Sequence, residues 1–232
     1  MKNVFLIFTC EHASNKIPAE YKKIFKKKES ILASHRGFDW GTAHLGKSLG
    51  ASFRAPVIFG KFTRLLIDLN RSEMHKAALS EITRNLLPNE HELIINTYHR
   101  PHWDQVRKII DEQIKKGKIV FHIGIHSFTP VFNGQIRMCD FGVLYDSQRK
   151  LESAFAISWQ KALQVQSKLR IRRNYPYLGK CDGLTSEFRK IYSEKNYRGF
   201  EIEVNQALVV KKNDLKMVEQ ILIKSLQSVL SE

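Results

Sequence analysis

The chain has 232 residues, enough for one large α/β domain, and its 43% apolar and 10% aromatic content argues against disorder. No apolar run approaches the roughly 20 residues of a membrane-spanning helix, and three scattered cysteines with no C-x-x-C argue against a disulfide framework or a cysteine-based zinc site. The 38 Lys and Arg outnumber the 23 Asp and Glu, for a charge of +15, which attracts anionic substrates, acidic surfaces or nucleic acid without choosing among them.

In chain order, Val4 to Phe8 is a continuous β-favouring run that predicts a strand buried on both faces. Thr9-Cys10-Glu11-His12 follows at once, without the small-residue pattern of a signal cleavage site, so the start of the chain reads as a strand and the location as cytoplasmic. Cys10 reads as a buried structural thiol at that strand end. Pro18 breaks any helix there, and the lysine-rich stretch to Lys28 reads as a solvated basic face. Gly37 and Gly41 bracket a loop holding Asp39, which either caps a helix from Thr42 to about Leu49 or serves as a metal ligand.

Pro56–Phe59 and Leu65–Leu69 predict two short strands. The second runs into Asp68, Asn70 and Arg71, where Arg71 can clamp a carboxylate, Asn70 can add a donor and Asp68 can orient the guanidinium. A long amphipathic helix is expected from Asn89 to Lys116, bent near Pro101, with His91, His99 and His102 as surface or packing residues. Lys118–Ile125 is the clearest strand and leads into His126 and Ser127. Asp140–Tyr145 predicts a strand, Leu151–Leu169 a helix, Leu169–Arg172 a short strand, 174–177 and 179–185 loops, and Gly199–Val204 a last strand with Glu201 and Glu203 on one face. A final helix opens at Asn213.

Alternating strands and helices predict an α/β fold, a mixed, mostly parallel sheet with helices on both faces, in a single domain over residues 1–232. Polar groups then collect at the carboxyl ends of strands, where α/β proteins bind ligands. Two histidines and a carboxylate make a zinc set with an open position, and a further carboxylate can take a proton from water acidified to about pKa 7 by the ion. Spacing alone leaves hydrogen-bonded packing as the other reading of each histidine.

Thr-Cys-Glu-His-Ala-Ser-Asn at 9–15, Phe-Asp-Trp-Gly at 38–41, Thr-Arg-Leu-Leu-Ile-Asp-Leu-Asn-Arg at 63–71, Ile-His-Ser-Phe at 125–128 and Glu-Ile-Glu-Val-Asn-Gln at 201–206 occur in this order. In this the chain resembles the N-formylglutamate amidohydrolase family, in particular its branch with the C-E-H-A-S-N opening. The resemblance implies a three-layer α/β/α fold of the phosphorylase/hydrolase-like kind, similar to zinc carboxypeptidases and aspartoacylases. It implies His12, Asp39 and His126 as ligands of Zn2+ or another divalent metal, with Glu11 as the alternative third ligand. It implies Glu203 as general base, Arg71 with Asn70 as the clamp for the substrate carboxylate, and Arg64 and Ser127 as further substrate-binding residues. The substrate expected is a small anionic N-acyl amino acid such as N-formylglutamate. The chain departs from the histidine-degradation members at Gln206, where they have arginine, and at Glu11–Ser14, where they have P-H-S-G; both changes fall near the expected substrate pocket. A related carboxypeptidase or cell-wall amidase activity, and a basic nucleic-acid or polyanion-binding protein, are the competing readings; nucleic acid is not favoured because no recognition motif accompanies the charge.

Overall fold

The structure is a computed structural model and describes residues 3–231. Its elements are β1 (Val4–Cys10), α1 (Glu29–Leu32), α2 (Thr42–Phe53), β2 (Val57–Phe59), α3 (Pro88–Ile94), α4 (Arg100–Lys115), β3 (Ile119–Phe128), a small hairpin of β4 (Val131–Phe132) and β5 (Gln135–Ile136), β6 (Phe141–Leu144), α5 (Lys150–Gln166), β7 (Ile171–Arg173), α6 (Leu184–Ile191), β8 (Tyr197–Asn205) and α7 (Lys212–Ser231). Six strands form one mixed sheet in the order β2-β1-β3-β8-β6-β7. The first four run parallel, and β6 lies antiparallel to β8.

Strand alternation divides the core. Phe8 and Cys10 of β1, Phe121, Ile123 and Ile125 of β3, and Phe200, Ile202 and Val204 of β8 point to one face, where Leu45 and Leu49 of α2, Trp159 of α5 and Leu222 of α7 cover them. Ile7 and Val120 point to the other face, against Val106 and Ile110 of α4 and Phe188 of α6. The fold is therefore the expected three-layer α/β/α arrangement. Cys10 is buried, as expected of a structural thiol.

Leu65–Leu69 is not a strand. Its backbone turns instead, with Leu66 N–H donating to Thr63 O at 3.0 Å and Asp68 N–H to Ala78 O at 2.7 Å. Leu65, Leu66, Ile67 and Leu69 are all buried, in a separate cluster with Tyr21, Phe25, Leu32 and Ile94. Wrapped by chain on both sides, consecutive residues bury themselves without alternating, and that run imitates a two-faced strand.

The long helix predicted from Asn89 is interrupted by a π-turn at Ile95–His99, just ahead of Pro101 in the first turn of α4. Proline has no N–H to give to the carbonyl four residues back, so the break falls where the sequence puts it. His99 and His102 are buried packing residues, His99 Nε2 meeting Arg71 O at 2.7 Å. The sequence reading did not anticipate α6 or the β4–β5 hairpin.

Candidate active site

Three neighbouring parallel strands deliver the polar groups to one sheet edge. Glu11 and His12 follow β1, while His126 and Ser127 occupy the last turn of β3. Glu203 lies on β8 in register with His126, and Glu201 in register with Gly124. Because Ile125, Ile202 and Val204 turn into the α2/α5/α7 core, His126, Glu201 and Glu203 face the other way, toward the α4/α6 side. Asp39 arrives from the loop before α2, its N–H bonded to His12 O at 2.9 Å. Gly41, not Asp39, occupies the helix N-cap, and no side chain caps that end. The Asp39 carboxylate is thus released from the capping role and turned toward the histidines.

Asp39 Oδ2 lies 3.4 Å from His12 Nδ1 and 3.2 Å from His126 Nδ1. One ligand atom from each of the three falls within 4.8 Å of the others, and all three residues are buried. The opposite ring nitrogens are also held: His12 Nε2 is 2.6 Å from Asp68 Oδ1, and His126 Nε2 is 3.2 Å from Glu11 Oε2. Both imidazoles therefore present Nδ1 to the centre and back Nε2 onto a carboxylate. Glu11 sits on the far side of His126 from Asp39.

Asp68 does not orient Arg71, as the sequence suggested. Its second oxygen takes Arg64 Nη2 at 2.6 Å, while Arg64 Nη1 reaches Asp39 Oδ1 at 3.4 Å. Arg64 is only four residues from Asp68, and the turning backbone brings the two together. Arg71 instead donates from Nη1 to Asp182 O. Asn70 is pinned at both ends, by Leu184 N–H on Oδ1 at 2.9 Å and by His126 Nε2 at 3.3 Å from Nδ2.

The charges follow from this packing. Burial would raise the carboxyls, but His126 outweighs it and holds Glu11 at about 2, and Arg64 and His12 hold Asp68 well below the ordinary range. Burial would lower His126, yet Asp39 and Glu11 raise it well above its usual value. Glu203 behaves in the opposite way: burial, with Asp39 and Glu201 adding, pushes it up to about 8 against the pull of His126. Among the described residues, no donor reaches its Oε2.

The donor set suits a divalent ion. Two imidazole nitrogens and a carboxylate oxygen converge, and the carboxylates of Asp39, Asp68 and Glu11 crowd two imidazoles with Arg64 as the cation among them. Such crowding is stabilised by positive charge at the centre.

A cavity of about 420 Å³ opens over the cluster. Every site residue expected from the sequence lines it except Glu11, which is buried behind His126, and Asp68, which is buried behind His12. Ser127 accepts from Gln206 Nε2 at 3.2 Å on its Oγ. Sequence reasoning missed Pro176, Tyr177, Leu178, Cys181 and Asp182 as lining residues and did not give Glu201 a role. The first five stand in stretches read only as loops; the signal for Glu201 was its two-residue spacing from Glu203. A second cavity, of about 200 Å³, lies behind the 62–69 segment and shares none of these residues.

The fold is found in solved structures across nearly the whole chain. The gene product Atu2144 from Agrobacterium tumefaciens is 27% identical with a TM-score of 0.82, covering 99% of this chain and 90% of that one. An N-formylglutamate amidohydrolase from Ralstonia eutropha JMP134 is 15% identical with a TM-score of 0.73, covering 97% and 93%. Bovine thrombin-activatable fibrinolysis inhibitor, solved in complex with tick carboxypeptidase inhibitor, shares the fold more distantly, at 13% identity and a TM-score of 0.50, covering 99% and 82%. No curated protein sequence matches the chain. The N-formylglutamate amidohydrolase family profile matches residues 4–210, and the chain belongs to that family.

Proposed function

We propose that this protein is a metal-dependent amidohydrolase that cleaves the linear amide bond of an N-acyl amino acid, N-formylglutamate or a relative, acting as one hydrolase domain in the cytoplasm. The observation that carries the reading is the convergence of His12, Asp39 and His126 beneath a cavity that also holds Arg71 and the unpartnered Glu203. Membership of the family supports the reaction class.

Zinc, or another divalent ion, would be held by His12, His126 and Asp39. Asp39 is preferred to Glu11 because it meets the same nitrogen of both rings, whereas Glu11 meets the outer nitrogen of one. The chemistry such an ion supplies when bound is polarisation of the scissile carbonyl and acidification of water. Glu203 takes a proton from the attacking water as its oxygen bonds to the carbonyl carbon. The same carboxyl then gives that proton to the amine nitrogen as the C–N bond breaks. Its site, short of hydrogen bonds and buried, favours the protonated form enough for both halves of the exchange.

Arg71 anchors the α-carboxylate, since its guanidinium is engaged only by a main-chain carbonyl. Arg64, bound to two carboxylates, stiffens the wall rather than clamping substrate, and Asn70, held by Leu184 N–H, stands beside Arg71 with its amide 3.3 Å from His126. Ser127 supplies a hydroxyl at the rim.

Elemental analysis tests the reading. About one metal per chain is expected in the wild type, with loss in both His12→Ala and His126→Ala. Glu203→Gln is expected to retain metal while turnover falls about 10²–10⁴-fold. Metal loss in Glu203→Gln would make that residue a ligand and sink its role as base, and a wild type that takes up no zinc would sink the mechanism as a whole.

A further inference from the structure

The charges around the cavity constrain the side chain of the amino acid bound there. Three guanidinium groups are near. Arg64 is matched by Asp68 at 2.6 Å and Asp39 at 3.4 Å. Arg137 lies behind Tyr177, 5.1 Å from its ring centroid and 4.6 Å from that of Phe132, and gives Nη2 to the Tyr177 hydroxyl at 3.2 Å; it does not line the cavity. Arg71 alone lines the cavity without an ion pair, and the α-carboxylate uses it.

The lining also carries acidic groups. Glu201 lines the cavity with Oε1 accepting from Thr185 Oγ1 at 3.0 Å, and no described cation pairs with it. Asp182 stands beside Arg71, which donates to its main-chain carbonyl, and uses Oδ2 for Ser72 N–H at 3.0 Å. The room for Glu201 is built in: a Cβ at Gly124, its partner in register, would stand 3.2 Å from Glu201 Cγ and 3.3 Å from His126 Nε2. Beside it Glu203, 5% exposed, keeps Oε2 unpartnered.

We propose that Glu201 is a specificity-determining residue and that the cavity takes N-acyl amino acids whose side chain is a hydrogen-bond donor, neutral or cationic, and discriminates against a second carboxylate. This rests on the hydrolase reading above and narrows its substrate to the relatives of N-formylglutamate rather than that compound itself. Once the α-carboxylate has taken Arg71, a side-chain carboxylate finds no unmatched cation among the described lining residues and meets Glu201, whereas an amide or ammonium group can donate to the free oxygen of Glu201. Like charges placed together in a half-buried cavity discriminate, because neither can pair.

The test is calorimetric binding of N-formyl-L-glutamate, N-formyl-L-glutamine and N-formyl-L-lysine to the zinc-loaded full chain at low salt, in a Glu203→Gln background so that ligand survives. Glutamine and lysine compounds are expected to bind at least about tenfold more tightly than the glutamate compound. Adding Glu201→Gln, which keeps an acceptor for Thr185, is expected to shrink that ratio severalfold. Glutamate binding as tightly as the other two, or a ratio unmoved by Glu201→Gln, would overturn the role of Glu201 and leave the hydrolase reading standing. Binding of none of the three would overturn both.

Discussion

Asp68 occupies His12 Nε2 and so decides which nitrogen His12 presents to the centre, while His126 Nε2 lies 3.2 Å from Glu11 and 3.3 Å from the Asn70 amide. A carboxylate behind a ligand ring fixes its tautomer and raises its basicity. Asp68→Asn keeps the shape and loses the charge, on which Arg64 also depends. The expected outcome is a metal affinity weaker by about 10–100-fold, read by competition with a chromogenic chelator. An unchanged affinity would mean that Asp68 only stiffens the turn. Chelation of the wild type should abolish hydrolysis and zinc should restore it; full activity after complete removal of metal would contradict the donor set proposed here.

At the scale of elements, strands β3 and β8 could be read from the sequence because each alternates apolar residues with His, Gly or Glu, and alternation is what a pleated strand imposes. The same rule gave the candidate residues, since His126 and Glu203 end such strands. It failed at Leu65–Leu69, where burial comes from surrounding chain, and at α6, where Gly183 and the short apolar stripe of Leu184, Thr185 and Phe188 resemble the loop before it. The wall formed by 176–182 was illegible for another reason: its place depends on Gly142 of β6, where a Cβ would lie 2.0 Å from Tyr175 O. Gly142→Val should push that loop and Tyr177 off the cavity, raising KM severalfold while leaving metal content unchanged. Steady-state kinetics with elemental analysis checks this, and an unaltered KM would show that the loop does not shape the substrate wall.

Across the whole molecule, stability should depend on pH through a buried group that does not line the cavity. His122 is fully buried between Thr9 Oγ1 and Tyr197 Oη, both at 2.8 Å, and burial, with Arg189 adding, pushes its imidazole down to about 4 despite Glu11. The folded value is lower than the unfolded one of about 6.5, so its contribution is complete above pH 6.5 and is lost as pH falls through 4. The loss amounts to about 3 kcal/mol at most. Urea midpoints measured in chelator should fall between pH 6.5 and 4, and less steeply in His122→Gln; equal slopes would clear His122 of the effect. The +15 charge acts at the same scale. If it steers anionic substrates, kcat/KM should decline with ionic strength while kcat holds.

Strand β8, among the last elements in the chain, lies inside the sheet, between β3 and β6. A ribosome therefore releases β6 and β7 before the strand that joins them to the rest exists. Until residues 197–205 emerge, β3 has an open edge, and an unpaired parallel edge is both slow to find its partner and sticky while it waits. Glu203 travels on that same strand, so the closing of the sheet and the arrival of the proposed base are a single event. A nascent or unfolded chain can therefore hold His12, Asp39 and His126 before residues 197–205 emerge, but the cavity that Glu203 lines is complete only when β8 is threaded home.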